Sequence, residues 1–399
     1  MNVMSKAIEP GRPGEGPPSA GQIEAVRKLP DNAKPNFPAV TRRLSSEIYF
    51  GEERYRLEQE RAFRRLPLAI APSAMLAPGT YVCRNGYGVP IIVTRDKQGE
   101  AHAFLNACRH RGSRLVQDED AKKAGLFVCP YHAWSYDLAG KLRGVPREEV
   151  FEPLDKQALG LVELKSEERG GIIWVKIDKD ADDDFSHVSD ELISDLDALG
   201  VADMYLFAHR RHDVAGNWKL ILDTFLEGYH VIRLHANTLG NRFEDTVTQV
   251  DRLGSHLRQT SGRPKFTRVL AEERAHSIDL IRRAVTFVYT LVPNCALIVS
   301  QDYVNLLVFS PQGPARTLVD NFMLTNRDPA DDEKLRDKWQ RSLDLTDGQA
   351  FPEDFFASAE CQVGLSSGAA PDVYLGGLET AMIVYHDLLD EILGQGAAA

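Results

Sequence analysis

Two short segments, Cys108-Arg109-His110 and Cys129-Pro130-Tyr131-His132, constrain this chain more than any other feature. Each supplies one thiol and one imidazole, and eighteen residues separate His110 from Cys129. Four such groups on two loops make a metal site, so the fold must bring the loops together. Tetrahedral zinc and a [2Fe–2S] cluster in which two histidines replace two cysteines on one iron are the chemistries this donor set allows. The distribution favours iron. Zinc fingers usually pair Cys with Cys and His with His, whereas here each loop carries one of each, as needed when each must reach both irons. Gly112 and Pro130 suit loops that turn around a cluster. Taken singly, the four would be ordinary buried thiols and structural histidines; their joint spacing argues otherwise.

The chain has 399 residues, enough for two domains and a large core. With 47 basic against 58 acidic residues it is net acidic, which disfavours nucleic acid as a partner. Five cysteines do not make a disulfide framework, and two are already assigned to the cluster. Cys83, Cys295 and Cys361 are expected as free thiols in a reducing compartment. The first thirty residues show no apolar signal core and no run of eighteen apolar residues occurs, so the expectation is a cytoplasmic protein with no membrane partner.

Residues 1–40 are rich in Pro, Gly and small polar residues and are expected as a loose tail. Residues 45–66 read as a surface helix, the core of a segment, 41–66, expected to pack on the second domain. From 67 to 165 six short strand-like runs separated by turns such as Asn85-Gly86 and Ala139-Gly140 predict a small antiparallel β domain bearing both metal loops. Residues 166–399 form the expected second domain, with a strand at 171–178 and an acidic solvated loop at 178–184. Its further strands fall near 206–215, 245–254, 286–293, 296–301, 303–311 and 317–325. Helices are expected at 190–200, 218–230, 333–345, 351–362 and, amphipathic and terminal, 374–393. The class is α+β.

A second chemical concentration lies in Asn217-Trp218-Lys219 to His235, with His230 and His235 five residues apart. Five steps rotate about 500° on an α-helix, so the two imidazoles meet on one metal only if the helix bulges or ends between them. Non-haem Fe(II) that activates O2 uses two His and one carboxylate on one face. Glu353 and Asp354 are the candidates for the distant carboxylate, although acids also favour helix N-termini for their own sake. His209 and His212, three apart on a strand, face opposite sides and are expected to be structural.

These motifs resemble, in order, those of the large α subunits of Rieske non-haem iron oxygenases. The resemblance rests on the CRHRG and CPYHAW loops, on NWKL and DTFLEGYHVIRLH, on VPN at 292–294 and on EDFFASAECQVGL, and it spans about residues 45–393. Ala133 stands where Gly is usual, and Asp223-Thr224-Phe225 stands where Glu-Asn-Phe is common. The resemblance implies an antiparallel Rieske [2Fe–2S] domain held by Cys108, His110, Cys129 and His132, and a helix-grip-like catalytic domain with a long C-terminal helix. It implies mononuclear iron on His230, His235 and Asp354, and it makes Glu227 a bridge between an iron ligand of one subunit and a cluster histidine of the next. Asp223 enters as a further catalytic candidate. The implied protein is the terminal oxygenase of a multicomponent system. It takes electrons from a reductase or ferredoxin, uses O2 as cosubstrate and hydroxylates an aromatic or related small organic substrate. O- or N-demethylation, or quaternary-amine monooxygenation, is the alternative, and a non-catalytic Rieske electron carrier a remote one. A homotrimer, with a small β subunit as an option, is the implied assembly.

Overall fold

A computed structural model describes residues 16–30, 37, 39–240, 247–270 and 277–395. Residues 1–15, part of the expected tail, lie outside the described residues, as does the start of the strand expected at 245–254.

Part of the expected tail is a helix. Ala20–Arg27 starts on a reciprocal cap: Ser19 Oγ accepts from Gln22 N at 2.9 Å, and Gln22 Oε1 accepts from Ser19 N at 3.0 Å. Fully buried Gln22 then donates to Tyr289 Oη (3.0 Å) and to the Asp195 carbonyl (3.1 Å), so polar contacts anchor a segment with little apolar content.

The expected surface helix at 45–66 is broken and largely anchored inside. It comprises a 3₁₀ turn Ser46–Tyr49, an α-helix Glu52–Glu58 and a π turn Gln59–Phe63, with Tyr49, Glu58 and Phe63 buried. The Glu58 carboxylate accepts from Lys219 Nζ and Trp218 Nε1, each at 2.9 Å, which explains why so charged a stretch turns inward.

The strands Glu163–Leu164, Ala101–Leu105, Ile91–Arg95, Thr80–Arg84 and Lys122–Lys123 form a five-stranded sheet in that order. A three-stranded sheet of Phe127–Val128, Ser135–Tyr136 and Leu142–Gly144 carries the second Cys/His loop. The strand Leu68–Pro72 pairs with Ile172–Val175, and both are buried in a core continuous with the C-terminal half.

That half is built on a seven-stranded antiparallel sheet. Its order is Tyr205–Val214, Arg316–Thr325, Tyr303–Gly313, Cys295–Val299, Val285–Leu291, His256–Gly262 and Thr248–Leu253. Helices Glu333–Leu345 and Phe351–Ser366 are joined through a π turn, Thr346–Ala350, and Thr380–Leu393 is the terminal helix. The terminal segment expected as one helix from 374 is interrupted: Asp372–Leu375 is a strand paired with Arg42–Ser45, and Gly376-Gly377 separates it from the helix. The helix expected over 218–230 stops at Asp223; a single helical turn, Val231–Leu234, follows. Among the described residues no helix is long and apolar enough to cross a membrane.

Candidate metal centres and cavity

Each Cys/His loop is a tight turn closed on its own backbone. Gly112 N donates to the Cys108 carbonyl at 2.8 Å, and Ala133 N to the Cys129 carbonyl at 2.9 Å. Gly112 has φ 74° and Ala133 φ 58°, so both loops need a left-handed residue at the equivalent place. Alanine accepts that conformation at a cost of about 1 kcal/mol; the unusual residue leaves the turn intact.

The loops bring the four groups together. The His110 and His132 ring centroids are 4.5 Å apart, and His110 stacks on Trp134 at 5.0 Å. Cys108 and Cys129 are buried free thiols, and Tyr136 Oη lies 3.3 Å from Cys108 Sγ. Burial pushes the Cys129 thiol up, but backbone N–H groups of Tyr131 and His132 outweigh it and hold the pKa below the usual range. The Nδ1 atoms of His110 and His132 are both buried without a hydrogen-bond partner. Two buried thiols and two orphaned imidazole nitrogens fit the four ligand positions of a Rieske cluster.

The second centre forms because the chain makes only one helical turn between its histidines. His230 precedes and His235 follows Val231–Leu234, which sets their ring centroids 5.1 Å apart. Asp354, in the first turn of Phe351–Ser366, places Oδ1 3.4 Å from His230 Nε2 and 3.1 Å from His235 Nε2, with no hydrogen-bond geometry to either. The three ligand atoms lie within 4.8 Å of one another. A buried carboxylate oxygen facing two ring nitrogens, none satisfied by the others, fits a metal ion between them.

Both Nδ1 atoms are held by carboxylates. Glu227 Oε1 bonds His230 Nδ1, while its Oε2 accepts from the N–H groups of Tyr229 and His230. Glu353 Oε2 lies 2.6 Å from His235 Nδ1 and accepts from Thr238 Oγ1 at 2.8 Å. Adjacent acids thus divide the work: Asp354 faces the ring Nε2 atoms and Glu353 backs one of the rings. Burial pulls the His230 pKa down, but Asp354 and Glu227 outweigh it and raise it to about 10 in the absence of a cation.

Asp223 is not in this constellation. Its carboxylate accepts from Tyr49 Oη at 2.8 Å and sits 3.1 Å from His386 Nε2, within the core and apart from the three residues expected as metal ligands. His209 and His212 are structural: His209 Nε2 is 2.7 Å from Asp320, and His212 Nε2 is 2.8 Å from Asp347.

A cavity of about 160 Å³ opens beside His230, His235 and Asp354. Phe225, Leu239, Val288, Ile298 and Phe351 make much of its wall. Gln259 and Asn305 also line it, and the motif reading missed them. Asn305 had a signal, a lone amide in the apolar run YVNLL, whereas Gln259 lies in the mostly polar LRQTSGR and had none.

Comparison with known proteins finds a domain family for each of the two metal-bearing regions. The Rieske [2Fe-2S] domain family matches residues 67–156, and the ring hydroxylating alpha subunit (catalytic domain) family matches residues 201–395. The carnitine monooxygenase oxygenase subunit of Acinetobacter baumannii is 32% identical over 236 residues, 58% of this chain and 60% of that protein. The match to that relative therefore spans less than two thirds of its length. The benzene 1,2-dioxygenase subunit alpha of Pseudomonas putida is 27% identical over 355 residues, 80% of this chain and 78% of that one. Among solved structures, naphthalene 1,2-dioxygenase from Rhodococcus sp. bound to indole superposes with TM-score 0.75 at 20% identity, covering 89% of this chain and 95% of that chain. The quaternary ammonium Rieske monooxygenase CntA in complex with L-carnitine gives TM-score 0.71 at 21% identity, covering 90% and 97%. These two share the fold. The chain thus joins a domain belonging to the Rieske [2Fe-2S] family to a domain belonging to the ring hydroxylating alpha subunit (catalytic domain) family, the kind that binds mononuclear iron and uses O2.

Proposed function

We propose that this protein is the terminal oxygenase of a multicomponent system, with Cys108, His110, Cys129 and His132 holding the cluster and His230, His235 and Asp354 holding the mononuclear iron. The observation that carries the reading is the second centre, since an electron carrier needs no triad of two imidazoles and a carboxylate opening onto a cavity. When bound, the cluster supplies single electrons and the mononuclear iron supplies O2 activation. The chain's own part is positional. Glu227 and Glu353 fix the tautomer and orientation of the two imidazoles by accepting from Nδ1, leaving both Nε2 atoms aimed at Asp354. Phe225, Phe351 and their apolar neighbours keep water from the reacting carbon.

Electrons arrive from a reductase or ferredoxin, and Glu227 joins His230 to a cluster histidine of a neighbouring subunit in a homotrimer, with a small β subunit as an option. Exposed apolar residues support that docking on both sides: Leu126, Val128, Tyr131 and Val150 near the cluster loops, and Tyr229, Ile232 and Phe356 near the second centre. Cys83, Cys295 and Cys361, the cysteines outside the cluster, are free thiols, in accord with a reducing, cytoplasmic setting. Hydroxylation of an aromatic or related small organic substrate is the principal reading. The 32% identity to a carnitine monooxygenase subunit favours, as the second, monooxygenation at a methyl-bearing nitrogen or oxygen.

The test is a single turnover of the chemically reduced, iron-replete protein with small aromatic and quaternary-amine substrates, reading O2 uptake and product mass. A gain of two oxygens and two hydrogens marks dihydroxylation, and one oxygen or loss of formaldehyde marks monooxygenation. Glu227→Gln is expected to keep both irons yet lose coupled turnover; full turnover in that variant would sink the bridge.

A further inference from the structure

The cavity wall carries more polarity than a pocket for a hydrocarbon requires. Gln259 pairs with Val288, Val288 with Ile298 and Ile298 with Asn305, so these four form one row across four adjacent strands. All four line the cavity. The middle of the row is branched aliphatic and its two ends are primary amides. One step along, Ser261 pairs with Thr286, again on the cavity side because alternate residues share a face.

The amides at the row's ends are buried, Gln259 at 4% and Asn305 at 1% exposure. Among the described residues Gln259 Oε1, Asn305 Oδ1 and Thr286 Oγ1 have no hydrogen-bond partner. Of the other buried amides, Asn321 leaves its Oδ1 unpaired but donates from Nδ2 to Asp347 at 2.9 Å, whereas Asn294 and Asn106 are paired at both ends. Asn294 exchanges both its bonds with the Ala69 backbone, and Asn106 accepts from Leu115 N and donates to the Val116 carbonyl. An amide left unsatisfied beside a reactive centre forfeits its hydration with no return, unless a ligand completes it. A site with polar groups of this kind discriminates strongly against a ligand lacking the matching group, because that ligand leaves them unpaired.

Size sets the other bound. About 160 Å³ compares with the ~150 Å³ apolar cavity known to admit benzene. The space holds a single ring, or a chain of similar bulk, with a small substituent.

We infer that Gln259 and Asn305, at opposite ends of the row, determine specificity: the substrate is a single-ring or comparably small molecule with a head group that both donates and accepts hydrogen bonds, docked on the amide at one end of the row. Its ring or alkyl part packs on Val288 and Ile298. The inference deepens the oxygenase reading and rests on it only for which end reacts; the binding preference stands on the cavity alone.

The experiment is calorimetric binding to the iron-replete protein under anaerobic conditions, with benzamide as the polar probe and toluene as its apolar counterpart. Benzamide is expected to bind at least about tenfold tighter than toluene, the scale of one or two hydrogen bonds to neutral groups. Of Asn305→Leu and Gln259→Leu, the one that removes the docking amide is expected to weaken benzamide roughly tenfold while leaving toluene unchanged or tighter. Toluene binding as tightly as benzamide to the unaltered protein, no binding of benzamide at millimolar concentration, or an unchanged ratio in both variants would overturn the assignment. The comparison on the unaltered protein needs no variant to fold. Iron content and cluster absorption, read on the same samples, separate failure of this inference from failure of the oxygenase reading.

Discussion

Neighbouring residues of one type take different roles here because a helix rotates them apart. Glu353 and Asp354 are consecutive, yet about 100° of helix phase turns Asp354 inward, at 4% exposure, while Glu353 stays on the flank of His235. The sequence leaves the choice between them open, since both are ordinary first-turn acids and only tertiary placement separates them. The cysteines and histidines are legible, because Cys-x-His and Cys-x-x-His spacings carry their own geometry. Glu353→Ala is expected to weaken mononuclear iron binding by roughly 10- to 100-fold, the cost of removing a carboxylate behind a ligating histidine. Glu353→Gln, which retains an oxygen to accept from His235 Nδ1, is expected to lose much less. Equilibrium dialysis against Fe(II), with cluster absorption as the control, distinguishes the two.

At the scale of elements, the segment 217–235 is where local propensity and tertiary demand part. The apolar spacing in Trp218 to Leu226 predicts a helix through to His230, but the helix ends at Asp223 and the chain re-forms one turn at Val231–Leu234. The two imidazoles converge because the turn Val231–Leu234 ends at His235 instead of continuing, so the departure from one long helix falls in the functional segment. What holds the first part is a buried ionic contact that the sequence does not announce, because its partners are some 160 residues apart. Lys219 and Glu58 are both fully buried, and Arg54 Nε shares the same carboxylate at 2.9 Å. Lys219→Met leaves Glu58 one partner short inside the core. The expected loss is about 3 kcal/mol, near the low end for breaking a buried pair because Arg54 remains. Denaturant unfolding of the iron-replete protein measures it; a change within about 0.5 kcal/mol, the level of a surface substitution, would contradict the role given to the pair.

At the scale of the whole molecule, the antiparallel architecture and both metal-bearing regions are legible, whereas the contacts between regions are not. Arg211 shows why: on the strand Tyr205–Val214 it bonds Asp320 at 2.9 Å and also Glu119, just upstream of the second cluster loop. His209, on the same strand, reaches Asp320 at 2.7 Å. Only sheet register and the docking of distant segments bring these side chains together, as with the row that ends in Gln259 and Asn305. Burial pushes Asp320 up, but His209, Arg84 and Arg211 outweigh it and hold the pKa down at about 2. A carboxylate depressed from its unfolded value near 3.8 contributes stability that is present above that value and lost as pH falls toward 2. The contribution is about 2 kcal/mol. Asp320→Asn is therefore expected to be less stable at neutral pH and to show a shallower loss of stability between pH ~5 and ~2. Chemical denaturation at several pH values reads it, and equal slopes in both proteins would refute the assignment.

The central claim is that one chain carries both a Rieske cluster and a separate catalytic iron. The most direct measurement is iron and acid-labile sulfide per chain in the unaltered protein and in His230→Ala, with the cluster absorption recorded alongside. The account predicts about three irons and two sulfides in the first, and about two irons, two sulfides and an unchanged cluster spectrum in the second. Two irons in both proteins would contradict it and leave an electron carrier with an idle second site.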